Sequence, residues 1–352
     1  MQQISDVIIV GAGVIGLLTA RELRSHGLSV TVLERGRVGM ESSQAGGGIL
    51  SPIPPWEGPA MVDALAQRSQ CLYPRLAESL LESTGIDIEY RQCGVVLLGE
   101  QQTSAARDWE ARSGKTLISL DSAALHELEP HLTGHWENAL HVPALSQLRN
   151  PRFTQALHRD LLTSDVTIME ATPVTQLLID DNKICGVQTQ TDVYKSNVVV
   201  IAAGAWTATL LGDFSPAEIM PVRGQMLWYQ LAPGTFSRIL IAADQYLIPR
   251  RDGVCLVGST VEHAGFDKGT TEEARTELTA FASRLSGLFD QRLPSGQWSG
   301  LRPGTTDGVP VISEHPGVEN LYINAGHYRN GINLGPASAE DCAGLILNRD
   351  TR

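Results

Sequence analysis

The sequence predicts an α/β fold that begins with a strand–helix–strand unit and includes a second, α+β domain with an antiparallel sheet. The first observation behind this prediction is the apolar, mostly β-branched run 7–10, typical of a strand that a parallel sheet buries on both faces. The second is the group of glycines that follows directly, before an apolar helical pattern. The third is a series of short strands, spaced by turns between residues 226 and 258, which indicates a separate antiparallel sheet.

Gly11, Gly13 and Gly16 have the G-x-G-x-x-G spacing of a Rossmann-like unit, and each glycine meets a different steric need. Gly11 lets the chain reverse, Gly13 lets the backbone approach a pyrophosphate, and Gly16 lets the helix pack on the strand. The helix N-terminus faces this turn, where it stabilises phosphate charge. A second strand, 28–33, ends at Glu34, 18 positions after Gly16, where a carboxylate accepts hydrogen bonds from a ribose diol. These features predict dinucleotide binding and leave NAD and FAD both open.

Composition limits the possible classes of function. A length of 352 residues allows two domains that share an interface or one large α/β domain, and 42% hydrophobic content permits a full core. The net charge of −12 argues against a nucleic-acid partner and an anionic membrane surface, so a small anionic substrate would need a local basic pocket. The five cysteines form no C-x-x-C pair and no metal-ligand spacing, and no run of 18 apolar residues occurs. We therefore expect no metal, no membrane span and a cytoplasmic location.

The segment after Glu34 combines small residues with hydroxyls and has poor helix propensity. Ser42 and Ser43 are candidates to cap a helix or to bind phosphate, and the glycines at 46–48 let the backbone lie against a flat ring. Further along the chain, Val174 is placed to touch an adenine face, and the small residues of 202–206 can pack against a dinucleotide. The loop 326–336 lies between a strand and a helix, so its amides are expected to point at a ligand.

Apolar periodicity and turn residues predict the remaining elements. Helices are expected at 59–84, 105–114, 122–128, 152–163 and 271–285. Strands are expected at 88–98 as a pair around Gly94, at 165–170 with a continuation at 172–174, at 176–179 with 186–190 as a hairpin, and at 198–201, 226–231, 238–242, 246–249, 254–258 and 321–324. Residues 129–146 are expected to be irregular.

Five motifs follow one another over nearly the whole chain: GAGVIG with Glu34, SSQAGGGI, AAGAW, GLRPGTTDGVP and GHYRNGINLGPASA. Their combination closely resembles the glycine oxidase branch of the D-amino-acid oxidase and sarcosine oxidase family. The resemblance implies an FAD protein of two domains, each discontinuous in sequence. The FAD-binding domain is expected at 1–85, 147–218 and 303–352, and the substrate-binding domain at 86–146 and 219–302.

The resemblance also implies the residues of the site. Arg302, Arg329 and Tyr246 are expected at the substrate, and the planar guanidinium of Arg302 suits a carboxylate that it binds at two points. Besides Gly11, Gly13 and Gly16, the residues expected to contact FAD are Val14, Ile15, Glu34, Arg35, Ser42, Ser43, Gly47, Gly48, Ile49, Val174, His327, Tyr328, Arg329, Asn330, Gly331, Ile332 and Asn333.

The implied activity is oxidation of glycine. Hydride leaves Cα for the flavin, the imine hydrolyses to glyoxylate and ammonia, and O2 is reduced to H2O2. We assign no general base, because loop histidines such as His263 and His327 are more often solvated or bonded to backbone. FAD is expected to be noncovalent, since no cysteine lies between Leu301 and Pro310, where related sarcosine oxidases tether flavin. The resemblance further implies a role in forming the thiazole of thiamine, and a homotetramer.

Other functions fit parts of the same pattern. One carboxylate-binding arginine would serve sarcosine, D-proline or another D-amino acid as well as glycine, in an oxidase or a dehydrogenase. A tRNA-modifying oxidase module that acts on a carboxymethylaminomethyl group shares this fold, but it normally carries a fused methyltransferase and a basic face, and neither is evident here. A non-catalytic flavin-binding protein would have no need of Arg302.

Overall fold

The computed structural model describes residues 5–100 and 103–348. These residues form a six-stranded sheet, an eight-stranded sheet and two smaller sheets. In chain order the strands are β1 Val7–Val10, β2 Val30–Leu33, β3 Arg91–Gln92, β4 Val95–Leu98, β5 Ile118–Asp121, β6 Asn138–Val142, β7 Ser146–Gln147, β8 Val166–Met169, β9 Val174–Asp180, β10 Lys183–Thr189, β11 Val193–Lys195, β12 Val199–Ile201, β13 Ile219–Gln230, β14 Ile239–Ala242, β15 Gln245–Pro249, β16 Val254–Gly258, β17 Gly296–Thr305, β18 Val311–Glu314 and β19 Leu321–Ala325.

Helices cover the sheets and connect their strands. In chain order they are α1 Val14–Ser25, α2 Ser42–Ala45, α3 Ala60–Thr84, α4 Ser104–Ser113, α5 Ser122–Leu128, α6 Asn150–Leu162, α7 Thr207–Leu211, α8 Glu272–Leu285 and α9 Gly331–Leu347. Short 3-10 turns occupy Gly204–Trp206, Gly212–Phe214, Gly287–Phe289 and Tyr328–Asn330. No helix in the described part of the chain is long and apolar enough to span a bilayer.

The six-stranded sheet has the order β18-β19-β12-β1-β2-β8, in which every neighbouring pair is parallel except β18 with β19. All four residues of β1 are buried. Val7 and Ile9 pack into the core that contains α1, α3 and α9, while Ile8 and Val10 pack into the core on the opposite face, which includes residues of β10. A strand covered on both faces has no polar side, and this explains the continuous apolar run in its sequence.

The glycine turn after β1 brings the start of α1 against the end of β12. Gly11 has φ +108°, and a Cβ there would lie 2.5 Å from the Ala202 carbonyl oxygen. A Cβ on Gly16 would overlap the Gly11 carbonyl oxygen, so only glycine lets α1 pack this closely on the turn. The turn therefore holds the N-terminus of α1 at the carboxyl edge of the parallel strands.

The eight-stranded sheet has the order β17-β13-β16-β15-β14-β4-β6-β5. Its neighbouring strands are antiparallel except β4 and β14, which run parallel. Helix α8 buries Leu278, Phe281 and Leu285 in the core under this sheet, as its apolar stripe predicts. Both sheets expected from the sequence are thus present.

The expected strand pair at 88–98 is wrong. Gly94 has φ +78°, and its N–H donates to the Leu145 carbonyl at 2.9 Å instead of closing a turn between two paired strands. As a result β3 pairs with β7, whereas β4 pairs with β6 and β14. The two segments belong to different sheets because each finds its partners far away in sequence.

The expected continuation of β8 through 172–174 is also wrong. Ala171 adopts φ +51°, and the Thr172 N–H donates to the Glu34 carbonyl at 2.8 Å. The chain therefore turns around Glu34, and Val174 begins β9 in a separate three-stranded sheet.

Strands β6, β17 and β18 lie in segments where no strand was expected, and β13 begins seven residues before its expected start. Three glycines and Pro303 lower the strand propensity of β17. Its pairing with β13 extends from Gly296 opposite Trp228 to Thr305 opposite Ile219. This long ladder outweighs the weak local preference, because strand propensity depends strongly on the pairing partner.

Candidate active site

A cavity of about 440 Å³ begins beside the carboxyl ends of β1 and β2 and extends to side chains of the eight-stranded sheet. Ligands of parallel α/β sheets bind at this edge. The wall contains most of the residues expected at FAD or substrate: Gly11, Gly13, Val14, Ile15, Glu34, Arg35, Ser42, Ser43, Gly47, Gly48, Ile49, Val174, Tyr246, Arg302, His327, Tyr328, Arg329, Asn330, Gly331 and Ile332. Folding thus brings together six separate stretches of the sequence.

Gly16 and Asn333 are expected FAD contacts that the structure does not bring to the wall. Gly16 lies behind Gly11, where it serves the packing of α1. Asn333 is buried in the first turn of α9, and its side-chain amide has no hydrogen-bond partner within 5–100 and 103–348. The wall is formed instead by the two residues before it, Gly331 and Ile332. Neither residue lines the cavity, and their contact with FAD stays a prediction.

Backbone amides hold the Glu34 carboxylate at the end of β2. Its Oε2 accepts the Ala12 N–H at 2.8 Å, and its Oε1 accepts the Gly36 N–H at 2.8 Å. A carboxylate has about four lone-pair sites, so both oxygens keep capacity for hydroxyl donors. Ser43 Oγ accepts the Val14 N–H at 2.9 Å. Ser43 was expected either to cap a helix or to bind phosphate. This hydrogen bond to the first residue of α1 is the geometry of a helix cap.

Arg35 forms an aromatic and ionic cluster at the same end of the cavity. Its guanidinium carbon lies 3.4 Å from the centroid of the Trp206 ring, which stacks on Phe266 at 5.4 Å. Arg35 Nη2 also donates to Glu41 at 2.7 Å, and Lys268 reaches the same carboxylate at 3.2 Å. The cluster therefore ties the end of β2 to the loop that follows β16.

The glycine segment 46–48 approaches its neighbours too closely for any side chain. A Cβ on Gly47 would lie 2.5 Å from Ile248 Cδ1 and 3.4 Å from Tyr246 Cε2. Gly48 has φ +73°, and a Cβ there would overlap the Leu148 carbonyl. Bare backbone therefore lines this part of the wall, which suits contact with a flat ring.

Asn150 is a wall residue that the sequence analysis missed. Its Nδ2 donates to the Ser43 carbonyl at 3.0 Å, while its buried Oδ1 has no hydrogen-bond partner among the described residues. In the sequence, Asn150 before Pro151 indicates only the start of a helix. Its role in the wall depends on how α6 packs against α2. No local sequence pattern indicates that packing.

Arg302 lies in β17 with its guanidinium held by neutral acceptors. Nη1 donates to the Thr260 carbonyl at 3.0 Å, and Nη2 donates to Ser259 Oγ at 2.7 Å. A Cβ on Gly224, in the neighbouring strand β13, would overlap the guanidinium, so the arginine lies flat against bare backbone. No carboxylate of the described chain lies within 4.0 Å of it.

Burial lowers the pKa of Arg302, the nearby Tyr246 opposes that shift, and the Arg329 guanidinium adds to it. Arginine nevertheless stays protonated in proteins. The wall therefore carries a positive charge with no acid partner. On a protein of net charge −12, this is the local basic pocket that a small anionic substrate needs.

Tyr246 and Arg329 flank Arg302 in the wall. Tyr246 is buried in β15, and its hydroxyl lies 3.8 Å from the Met226 sulfur. Arg329 donates to the Asp244 carbonyl at 3.3 Å and lies 3.6 Å from the Asp244 carboxylate. The Asp244 side chain is 84% exposed. The three residues expected at the substrate thus share one end of the cavity, and Arg329 is the most exposed to water.

His327 is buried in the wall and held in one tautomer. Ser338 Oγ donates to Asn324 Oδ1 at 2.6 Å, because the Asn324 amide nitrogen is already oriented by Thr19 and the Ser338 carbonyl. Ser338 Oγ must therefore accept from His327 Nε2 at 2.7 Å, which leaves Nδ1 as a bare acceptor with no partner in the described chain. Burial lowers the pKa of His327 to about 3, so the ring is neutral.

Known proteins match this chain over nearly its whole length. The family model described as FAD dependent oxidoreductase matches residues 6–345. Glycine oxidase from Pseudomonas aeruginosa is 40% identical over 346 residues, which cover 98% of this chain and 95% of that protein. The bifunctional protein ThiO/ThiG of Synechocystis is 31% identical over 99% of this chain and 52% of its own length. The crystal structure of glycine oxidase from Bacillus cereus has a TM-score of 0.90 at 30% identity, over 98% of this chain and 95% of that one. These matches confirm the expected fold class.

The wall fits the FAD that the matching family implies. The turn at Gly11 and Gly13 leaves bare backbone at the N-terminus of α1, where a pyrophosphate is stabilised. The Glu34 carboxylate, which two backbone N–H groups hold in place, lies where the sequence predicts a ribose. His327 Nδ1 and Asn150 Oδ1 are buried acceptors without partners in the described part of the chain, and a ligand with hydroxyl or N–H donors would satisfy both.

Proposed function

Because the chain belongs to the family of FAD-dependent oxidoreductases, we propose that it oxidises glycine to the imine, with O2 as the electron acceptor and H2O2 as a product. It is an FAD-dependent enzyme, as the resemblance in its motifs implied. The observation that carries the proposal is Arg302, a wall cation with no acid partner in the described chain. An amino acid provides the carboxylate that this cation lacks.

The residues of the chain bind and orient the substrate. Arg302 has five N–H donors, and its present bonds to Thr260 and Ser259 leave donors for a carboxylate. Tyr246 closes the same end of the cavity, so the amine and Cα are directed away from the arginine and toward the middle of the cavity. Bound FAD supplies the hydride acceptor in that space.

No side chain is assigned as general base. His263 is exposed and does not line the cavity. His327 lines it, but its Nε2–H is engaged by Ser338 and it lies in the loop expected to contact FAD. The amine is proposed to enter neutral, and water hydrolyses the released imine to glyoxylate and ammonia.

Sarcosine and small D-amino acids are the nearest alternative substrates, since each carries the same carboxylate. A tRNA substrate is disfavoured by the net charge of −12.

Anaerobic mixing of the holoenzyme with glycine, sarcosine, D-alanine and D-proline tests the proposal. We expect the flavin absorption to bleach fastest with glycine, and peroxide to form when air is admitted. Bleaching by none of the four amines would contradict the amine oxidase assignment. Bleaching by sarcosine or a D-amino acid alone would assign the enzyme to a neighbouring branch.

We also propose that FAD is bound without a covalent link, because no cysteine of the described chain lines the cavity. Trichloroacetic acid should release the yellow colour into the supernatant, and colour left in the pellet would contradict this.

Supply of the imine for the thiazole of thiamine is proposed from the motif resemblance. Five free cysteines support a cytoplasmic location, and the resemblance supports a homotetramer.

The division into two discontinuous domains stays a proposal, with support from the sheets. Strands of the eight-stranded sheet fall in 95–142 and 219–305, whereas strands of the six-stranded sheet fall in 7–33, 166–201 and 311–325. Strand β17 runs to Thr305, three residues past the proposed boundary at 302. The proposed boundary between 302 and 303 thus falls inside β17.

A further inference from the structure

Arg250 places a second buried cation directly behind the cavity wall. It follows β15 and is 6% exposed. Its Nη1 donates to Gln147 Oε1 at 2.6 Å and to the Leu148 carbonyl at 2.8 Å, and its Nη2 donates to the Gly47 carbonyl at 2.8 Å. All three acceptors are neutral, and Nε has no hydrogen-bond partner among the residues that the structure describes.

No carboxylate in the described ranges lies within 4.0 Å of the Arg250 guanidinium. Burial, together with a smaller contribution from the Arg149 guanidinium, lowers the pKa of Arg250 to about 10. The group is therefore still protonated at neutral pH. Glu89 opposes this shift, but its carboxylate is paired with Arg149 at 2.9 Å. A buried charge without a contacting counter-charge is costly, and the cost falls when a negative group binds nearby.

The position of Arg250 indicates where such a group binds. Gly47 lines the cavity, and a Cβ on it would lie 3.4 Å from Tyr246, which shares the wall with Arg302. Arg250 is thus one peptide unit behind the wall at the end where the substrate is proposed to bind. Its side chain also joins the glycine segment 46–48 to β7. Arg250 therefore supports the bare backbone of that segment mechanically, in addition to carrying a charge.

We propose that Arg250 is a positioning residue whose unpaired charge raises the reduction potential of bound FAD and favours anions at the Arg302 end of the cavity. A nearby positive charge stabilises the cofactor more after it has gained electrons than before. The proposal depends on FAD binding, which the family shows, and not on which amine is the substrate.

The test compares holoenzymes of Arg250→Met and Arg250→Lys, with Arg251→Met as the matched control. Arg251 is the next residue, is exposed and pairs with Asp87 at 3.0 Å, so its loss removes the same formal charge from the surface. The two readouts are the midpoint potential of FAD and the dissociation constant for sulfite. Sulfite binding is measured by bleaching of the flavin absorption band. We expect Arg250→Met to lower the potential and weaken sulfite binding about tenfold. In Arg250→Lys the dissociation constant for sulfite should stay within about threefold of the wild-type value. Arg251→Met should match the wild type.

A second pair of variants separates charge from mechanical support. Gln147→Glu gives Arg250 the carboxylate that it lacks and keeps an acceptor for Nη1, whereas Gln147→Met removes that acceptor and adds no charge. Both lose the bond from Gln147 Nε2 to the Pro249 carbonyl at 3.0 Å, so the loss of that bond is common to the pair. We expect the glutamate variant alone to lower the potential.

Unchanged potential and sulfite affinity in both Arg250→Met and Gln147→Glu would overturn the proposal. Equal shifts in Gln147→Met and Gln147→Glu would also overturn it, because they would indicate a mechanical role. If Arg250→Met does not retain FAD, the Gln147 pair decides. Glycine enters neither readout, so a failure here is distinguishable from a wrong substrate assignment.

Discussion

At one end of the cavity the Glu34 carboxylate accepts two backbone N–H groups, whereas at the other end the Arg302 guanidinium meets only carbonyl and hydroxyl oxygens. The first charge is stabilised before any ligand binds. The second is held in position but keeps its need for an anion. The difference indicates that the fold alone prepares the end where a ribose is proposed to bind, while the end where the substrate is proposed to bind keeps electrostatic energy available for binding.

The largest expected effect comes from removing the charge that lacks a partner. Arg302→Ala should retain the flavin spectrum and lose kcat/KM for glycine by roughly 2 to 4 kcal/mol, the range for a lost charge-assisted pair. Steady-state peroxide production measures the change, and Arg292→Ala on the exposed surface is the control. Wild-type kinetics in Arg302→Ala would remove this residue from the substrate site.

A smaller change at the same end moves the guanidinium without removing it. The Cβ of Gly224→Ala would overlap Arg302, so the guanidinium must shift, and kcat/KM for glycine should fall about 30-fold with FAD binding intact. Gly344→Ala, in α9 with no atom within 4 Å of its added Cβ, should leave kinetics unchanged. Equal kinetics for the two alanine variants would show that the position of Arg302 is not critical.

At the ribose end, Glu34→Gln keeps the size of the side chain but removes its charge. A carboxamide has one acceptor oxygen, so either Ala12 or Gly36 would face an NH2 group. The dissociation constant for FAD should rise about tenfold, measured by flavin fluorescence on reconstitution of apoenzyme. Glu78→Gln, an exposed site on α3, is the control. Unchanged affinity would mean that the carboxylate serves the turn alone.

The smallest expected effect concerns His327, which lies between the two ends. Burial holds its folded-state pKa at about 3, below the ordinary value of 6.5, so the unfolded chain binds this proton first on acidification. The stabilisation from the neutral ring is therefore fully present above pH 6.5 and is lost as the pH falls toward 3.

The melting temperature of the wild type is expected to fall when the pH is lowered from about 7 to about 4. In His327→Gln this decrease should be a few degrees smaller. Thermal unfolding of the holoenzymes measures this slope, and the exposed His135→Gln should retain the wild-type slope. A slope of wild-type size in His327→Gln would assign the acid sensitivity to other groups, such as His141, whose pKa burial lowers to about 4.

Much of the fold and of the site could be predicted because the relevant signals are local. The apolar run of β1, the glycine turn and the helix stripe of α8 each depend on neighbours within one element, and the structure contains all three. The strands at β6, β17 and β18 were missed because their pairing partners, and not their own propensities, determine them. For the same reason the segments on either side of Gly94 were wrongly paired with each other.

Residue type and spacing were enough to predict that Glu34 lines the cavity, at the end where a ribose is proposed to bind. Glu34 and its partner Ala12 are 22 positions apart in one strand–helix–strand unit, so spacing and residue type are enough to identify them. Tertiary structure alone decided the surroundings of Arg302 and Arg250, whose partners lie 42 and 43 positions away for the first and 102 to 203 for the second. An arginine in a sequence carries no sign of whether an acid will pair with it. That depends on which distant backbone the fold packs around it, and on whether burial keeps water and carboxylates out.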